Sequence, residues 1–211
     1  MLANFKNKIS LLIVLLISIS LFGCVTPPPR NISNICSMFR QYPKWYWTAQ
    51  DVQKKWNLPI SVLMAVMHQE SKFRATIKPP RKRLLGFIPW FRPTSAVGYA
   101  QVTNATWRNY QLATGKGGAS RTSFYDAADF IGWYANQAHR RVGIPKGDPY
   151  KVYLAYHEGI GGYSRRTYLR KQWLMNVARK VQHNAWVYHA QLTRCQFSLP
   201  KRPWWHFWSY V

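Results

Sequence analysis

A glutamate stands near the end of an apolar run in "AVMHQESKFRAT", residues 65–76. Carboxylates are scarce in this chain: six Asp and Glu against thirty Lys and Arg, with Glu70 and Glu158 the two glutamates. On a helix, Glu70 follows Leu63 by seven positions, Val66 by four and Met67 by three. That spacing puts it on the apolar stripe rather than opposite it. A carboxyl group so placed is desolvated, and its neutral form is favoured. Its pKa then rises from about 4.3 towards ~6, where a general acid works. The bland alternative is a helix-end glutamate turned outward to Lys72 or Arg74.

Two further stretches have residue types suited to holding a polar ligand. "SAVGYAQ", residues 95–101, combines small residues, which let backbone approach a ligand, with Gln101, which offers a donor and an acceptor. "AYHEG", residues 155–159, brings Tyr156 and His157 to a helix end. Metal chemistry lacks a ligand set. The six histidines are scattered, and His183 and His189 are six apart, off one helix face. No cysteine pair has zinc spacing. "GKGG" at 115–118 lacks the strand-loop-helix context and the following Ser or Thr of a phosphate loop. No cofactor is expected.

The elements that would position these residues are helical. Asn57-Leu58-Pro59 opens a helix running to Ser71, with Ile60, Leu63, Met64 and Met67 at spacings of three and four. "DAADFIGWYANQAHRRVG" predicts a second, ended by His139, Arg140, Arg141 and Gly143. Asp148-Pro149 predicts an N-cap and first turn for a helix through Tyr156, closed by Gly159. A last amphipathic helix spans about Trp173 to Leu192. No strand alternation competes, so the fold class is all-α.

In order, Glu-Ser-x-Phe, G-x-x-Q and A-Y-x-x-G make a set that resembles the soluble lytic transglycosylase domain, a lysozyme-like family, over about residues 45–192. "TNATW" and "DFIGWY" match further segments of that family. The resemblance implies Glu70 as the single catalytic acid, with Ser71 orienting it. It implies Gly98, Tyr99 and Gln101 as substrate contacts, and Tyr156 as a residue placed to hydrogen-bond the reacting centre or the acid. His157 stands where the family uses Asn and keeps a donor and an acceptor. Glu158 stands where a small residue is usual and is expected at the surface or behind the site. The implied substrate is the peptidoglycan glycan strand. The implied reaction cleaves the bond between N-acetylmuramic acid and N-acetylglucosamine and leaves 1,6-anhydro ends. The alternative is a wall-binding scaffold that keeps the cleft without turnover.

The start of the chain supports export. Lys6 and Lys8 precede an apolar stretch, Ile9 to Phe22, too short for a ~30 Å hydrocarbon core, and "LFGC" ends it like a bacterial lipobox. Residues 1–23 are read as a lipoprotein signal peptide, residues 24–40 as a lipidated Cys24 and Pro-rich tether, 41–195 as the domain and 196–211 as a tail. The alternative is an uncleaved anchor. Export permits a disulfide, so Cys36 and Cys195 either pair or remain free thiols. Val25 after Cys24 is not the Asp that signals inner-membrane retention, which favours an outer-membrane, periplasm-facing location.

The formal charge of +24 seeks a polyanion. For an exported chain, anionic membrane lipid or the acidic stem peptides of the wall fit better than nucleic acid. A one-domain size also permits work beside envelope secretion-machine proteins. The basic aromatic insertion, residues 77–94, and the aromatic tail suit a membrane interface, single-stranded nucleic acid, or local packing.

Overall fold

Helix α3 (Ile60–Ser71) is the spine of the molecule. In the computed structural model every residue from Ile60 to Met67 is buried, so its first two turns are enclosed on all sides and not only along one stripe. The structure describes residues 26–80, 83–84, 88–89 and 94–204. The expected signal peptide 1–23, the expected lipidated Cys24, half of the insertion and residues 205–211 lie outside these.

The other helices are α1 (Ile35–Gln41), α2 (Pro43–Trp56), α4 (Asn104–Thr114), α5 (Phe124–Val142), α6 (Pro149–Glu158), α7 (Ile160–Ser164) and α8 (Gln172–Cys195). Helix α8 lies along α3 and α6, while α2 lies along α5. A two-residue antiparallel ladder, β1 (Arg83–Leu84) with β2 (Ile88–Pro89), is an addition to the expected all-helical pattern and sits within the insertion. The domain is all-α apart from this ladder. Among the described residues no helix is long and apolar enough to cross a membrane.

Helix ends follow local chemistry. The Asp148 side chain accepts from the Lys151 amide, and Pro149 opens the first turn of α6. Ser123 accepts from the Asp126 amide at the start of α5, and Gly143 in the left-handed region stops it. Helix α8 exceeds its expected span by one residue at the start and three at the end.

The tether read over residues 24–40 is shorter than expected. Ile35, Met38 and Phe39 of α1 are fully buried, so this helix belongs to the core. Its Cys36 is joined to Cys195 at the end of α8, across 159 positions, which excludes two free thiols. The tail also begins as part of the domain. Leu199 is buried, the Pro200 carbonyl accepts from the Trp47 indole at 2.8 Å, and Arg202 pairs with Asp51 at 2.6 Å.

One buried charge ties three regions together. Asp129 on α5 receives the Trp56 indole and the Tyr110 hydroxyl, each at 2.7 Å, with Lys116 at 2.9 Å and Lys55 at 3.0 Å. Burial alone would raise its pKa, but these four donors outweigh it and hold the carboxyl below its ordinary value.

Candidate active site

Glu70 sits in the last turn of α3 and lines a cleft of about 450 Å³. Opposite walls come from the Gln101–Thr103 turn, the start of α4, the middle of α5 and the end of α6. Its Oε1 is sealed from solvent and has no hydrogen-bond partner among the described residues. Burial raises the Glu70 pKa to about 7; a hydrogen bond from the Tyr153 hydroxyl works against that rise. The negative end of the α3 dipole also disfavours ionisation there. A carboxyl whose pKa lies near neutrality can both give up a proton and take it back.

Tyr153 is the functional neighbour that motif reasoning missed. It lies on α6 three residues before Tyr156, so the two share a helix face. That spacing was a signal within reach. Burial, then the nearby Glu70 charge and the bond to Glu70, push the Tyr153 pKa well up, so it remains a donor. Tyr156 lines the cleft, but its hydroxyl donates to the Ala100 carbonyl at 2.6 Å. It thereby locks the Gly98–Gln101 turn to α6, while Tyr153 meets the acid.

That turn depends on backbone geometry. Gly98 has φ +82°, and a Cβ there would lie 2.0 Å from the Arg121 carbonyl oxygen. Gln101 also adopts positive φ, and its side-chain amide donates to Ile77 O at 2.9 Å and Gly98 O at 2.8 Å. Both amide hydrogens are thus spent on the loop, and Gln101 lines the cleft with its donors already used.

Two expected contacts are corrected by the structure. Tyr99 is only 1% exposed; its ring packs edge-on against Trp45 and Phe124. The reversal of the chain at Gly98 and Gln101 aims the intervening ring into the core, away from any ligand. Ser71 is also buried, and its hydroxyl donates to the Met67 carbonyl at 3.2 Å, so it closes its own helix and does not hold Glu70.

His157 and Glu158 both line the cleft. The Glu158 side chain is 4% exposed, not superficial. It accepts from Lys171 at 2.8 Å and from Thr167, with His157 Nδ1 at 3.4 Å. Burial would raise its pKa, but Lys171, Thr167 and His157 hold it below the ordinary range. The chain's two glutamates both line the cleft, and their surroundings push their pKa values in opposite directions. Thr103 and Thr106 of "TNATW" and Phe130 and Tyr134 of "DFIGWY" also line the cleft, so both family-matching segments reach it. Among the described residues no group of three or more His, Cys, Asp or Glu is placed to hold a metal ion.

A helical domain whose cleft is lined by a glutamate with its pKa raised to about 7 has the arrangement of a glycan-cleaving enzyme. The comparisons agree in class. No curated protein matches the chain. The transglycosylase SLT domain matches residues 12–195, and the chain belongs to that family. It has the all-α, lysozyme-like fold of the domain and is a peptidoglycan lytic transglycosylase, a glycosidic-bond lyase whose substrate is the glycan strand.

Proposed function

We propose that Glu70 serves in turn as general acid and general base in a non-hydrolytic cleavage of the bond between N-acetylmuramic acid and N-acetylglucosamine. Protonated Glu70 donates to the bridging oxygen, and N-acetylglucosamine departs with that proton. The acetamido group of the muramoyl sugar assists the oxocarbenium-like centre. Ionised Glu70 then removes the proton from the muramoyl 6-hydroxyl, whose oxygen closes on C1. The product is a 1,6-anhydro end; the proton returns to Glu70 and no water is consumed.

The observation that carries this reading is the Glu70 carboxyl at the cleft, one oxygen sealed from solvent and the pKa raised to about 7. Ordinary glycosidases need a second free carboxylate. Glu158, the other glutamate of the cleft, is occupied by Lys171 and Thr167, which supports a route that needs one. Tyr153 steadies the acid and damps its pKa rise; Gln101 and Tyr156 hold the wall against which the sugars lie. His157, at the rim beside Trp173, is a candidate for sugar hydroxyls.

The enzyme is further read as a lipoprotein acylated at Cys24, held at the outer membrane and facing the periplasm, where it remodels the wall locally or beside a secretion apparatus. The lipobox-like "LFGC" and the excess of cations support that placement. Cys24→Ala is expected to release the protein from membrane fractions, and retention would point to an uncleaved anchor.

The decisive experiment uses purified sacculi. A soluble form and its Glu70→Gln variant are incubated with them, and released muropeptides are mass-analysed. Anhydro-muramoyl ends from the unaltered protein alone are expected. Reducing ends would mean hydrolysis, and pelleting without release would mean a scaffold.

A further inference from the structure

The inner face of α8 is apolar, as packing on α3 and α6 requires: Leu174, Ala178, Val181, Ala185 and Tyr188 are buried. The outer face is less usual. Arg179, Trp186, Ala190, Arg194 and Phe197 follow one another at seven, four, four and three positions, which makes one stripe, continued past the helix end by the turn Gln196–Ser198. All five are exposed, Trp186 at 61% and Phe197 at 88%. Two large rings held in water among cations forgo the free energy of burial. No carboxylate from the flanking sequence relieves the charge, since no Asp or Glu occurs before Asp51 or after Glu158.

The end of the stripe meets the start of the described chain. Arg40, exposed at the end of α1, donates to Ser198 Oγ at 3.2 Å, next to Phe197. The Gln191 side chain accepts from the Ile35 amide at 2.9 Å and donates to Ser33 O at 3.1 Å, while Tyr188 donates to Ile32 O. Upstream, Pro29 is buried, the Arg30 amide donates to Gln41 Oε1 at 3.0 Å, and Pro27 O accepts from the Tyr42 hydroxyl at 2.9 Å. The Pro-rich stretch is thus fastened to the domain almost as far as Thr26, two positions after Cys24. Two residues of chain reach at most ~7 Å. A lipid on Cys24 would hold the domain against a bilayer and not at a tether's length from it.

We propose that the outer face of α8, with Arg40 at its end, lies on anionic lipid headgroups, its cations paired with lipid phosphates and Trp186 and Phe197 seated among the headgroups. Arg beside large rings on one exposed helix face is the makeup of an interfacial helix. The acidic peptides of the wall would answer the cations but leave both rings in water. The choice of lipid rests on the proposed acylation of Cys24. Helix α8 gives no residue to the Glu70 cleft, so docking by this face leaves the cleft open to glycan.

The test uses a protein that starts at Thr26, which keeps the whole described fold and has no acyl chain. It is sedimented with vesicles of phosphatidylcholine alone or mixed with phosphatidylglycerol. Binding to the mixed vesicles only is expected. Trp186→Ala combined with Arg194→Gln should weaken that binding about tenfold. Arg108→Gln combined with Leu112→Ala, an exposed cation and an exposed apolar side chain on α4, should leave it unchanged. Equal binding to both kinds of vesicle, binding to neither, or an equal loss in the α4 variant would overturn the proposal. So would an α8 variant that keeps its affinity for vesicles and loses its hold on isolated wall. The protein used lacks Cys24, so the result is independent of the Cys24→Ala fractionation that tests the anchor.

Discussion

At the scale of the residue, the governing fact is a carboxyl pushed up to about 7 by burial, with Tyr153 as its moderating donor. As proposed acid, Glu70 must begin protonated, so kcat/KM is expected to fall as pH rises through about 7. Tyr153→Phe removes a hydrogen bond that favours the ionised form. The Glu70 pKa then rises, and the falling limb moves to higher pH in a pH–rate profile; a limb that stays put or moves down would remove Tyr153 from this role. The sign for stability follows from the same shift. Between 4.5 and about 7 the folded protein holds a proton on Glu70 that the unfolded chain has released. Stability from this group therefore falls as pH rises through that window. Glu70→Gln should flatten the dependence, as denaturant titrations on either side of the window would show.

At the scale of the element, the wall behind the cleft depends on how closely α2 and α5 approach. A Cβ on Gly132 would lie 2.5 Å from Trp56 Cδ1 and 2.8 Å from Val52 Cγ1. Trp56 cannot move aside freely, since its indole is bonded to Asp129 at 2.7 Å. Gly132→Ala is expected to cost roughly 1–3 kcal/mol by overpacking. Asp129→Ala would leave Lys116, Tyr110 and Trp56 without their shared acceptor, at roughly 3–5 kcal/mol. Both are read by denaturant unfolding. Asp129 has a depressed pKa, so its contribution is present above the ordinary carboxyl range and is lost as pH falls below it. Acid unfolding should therefore begin at a higher pH once this hub is removed.

At the scale of the whole molecule, two features stand out. The disulfide closes a loop of 159 positions and draws α1 onto the end of α8. Replacing both Cys36 and Cys195 by Ser is expected to lower stability by about 4–5 kcal/mol on the chain-entropy account. Equal unfolding midpoints for the two proteins would show that the clip adds little. The charge is the second feature. Asp51, Asp129, Asp148 and Glu158 are each engaged by Lys or Arg, and Glu70 is buried, so few carboxylates remain to offset thirty cations. Retention on isolated wall should weaken steeply with added salt, because exposed charge is screened.

The sequence by itself determined the helical class and the family, and it singled out Glu70 as the candidate acid. Helical spacing is local, and so are the caps at Asp148 and Gly143. The order of three short motifs led to Glu70 because a scarce carboxylate on an apolar stripe has one physical consequence wherever the stripe is buried. Only the tertiary structure decided who touches whom. It paired Glu70 with Tyr153 from a helix far along the chain. It turned Tyr99 into the core and spent Ser71 on its own helix. It drew α1 out of the expected tether, and set Glu158 in the cleft yet tied it to Lys171. Each of these depends on the direction of a side chain across an interface between elements distant in sequence. Periodicity and motif spacing specify which face a residue shares, and they carry no information about what meets that face.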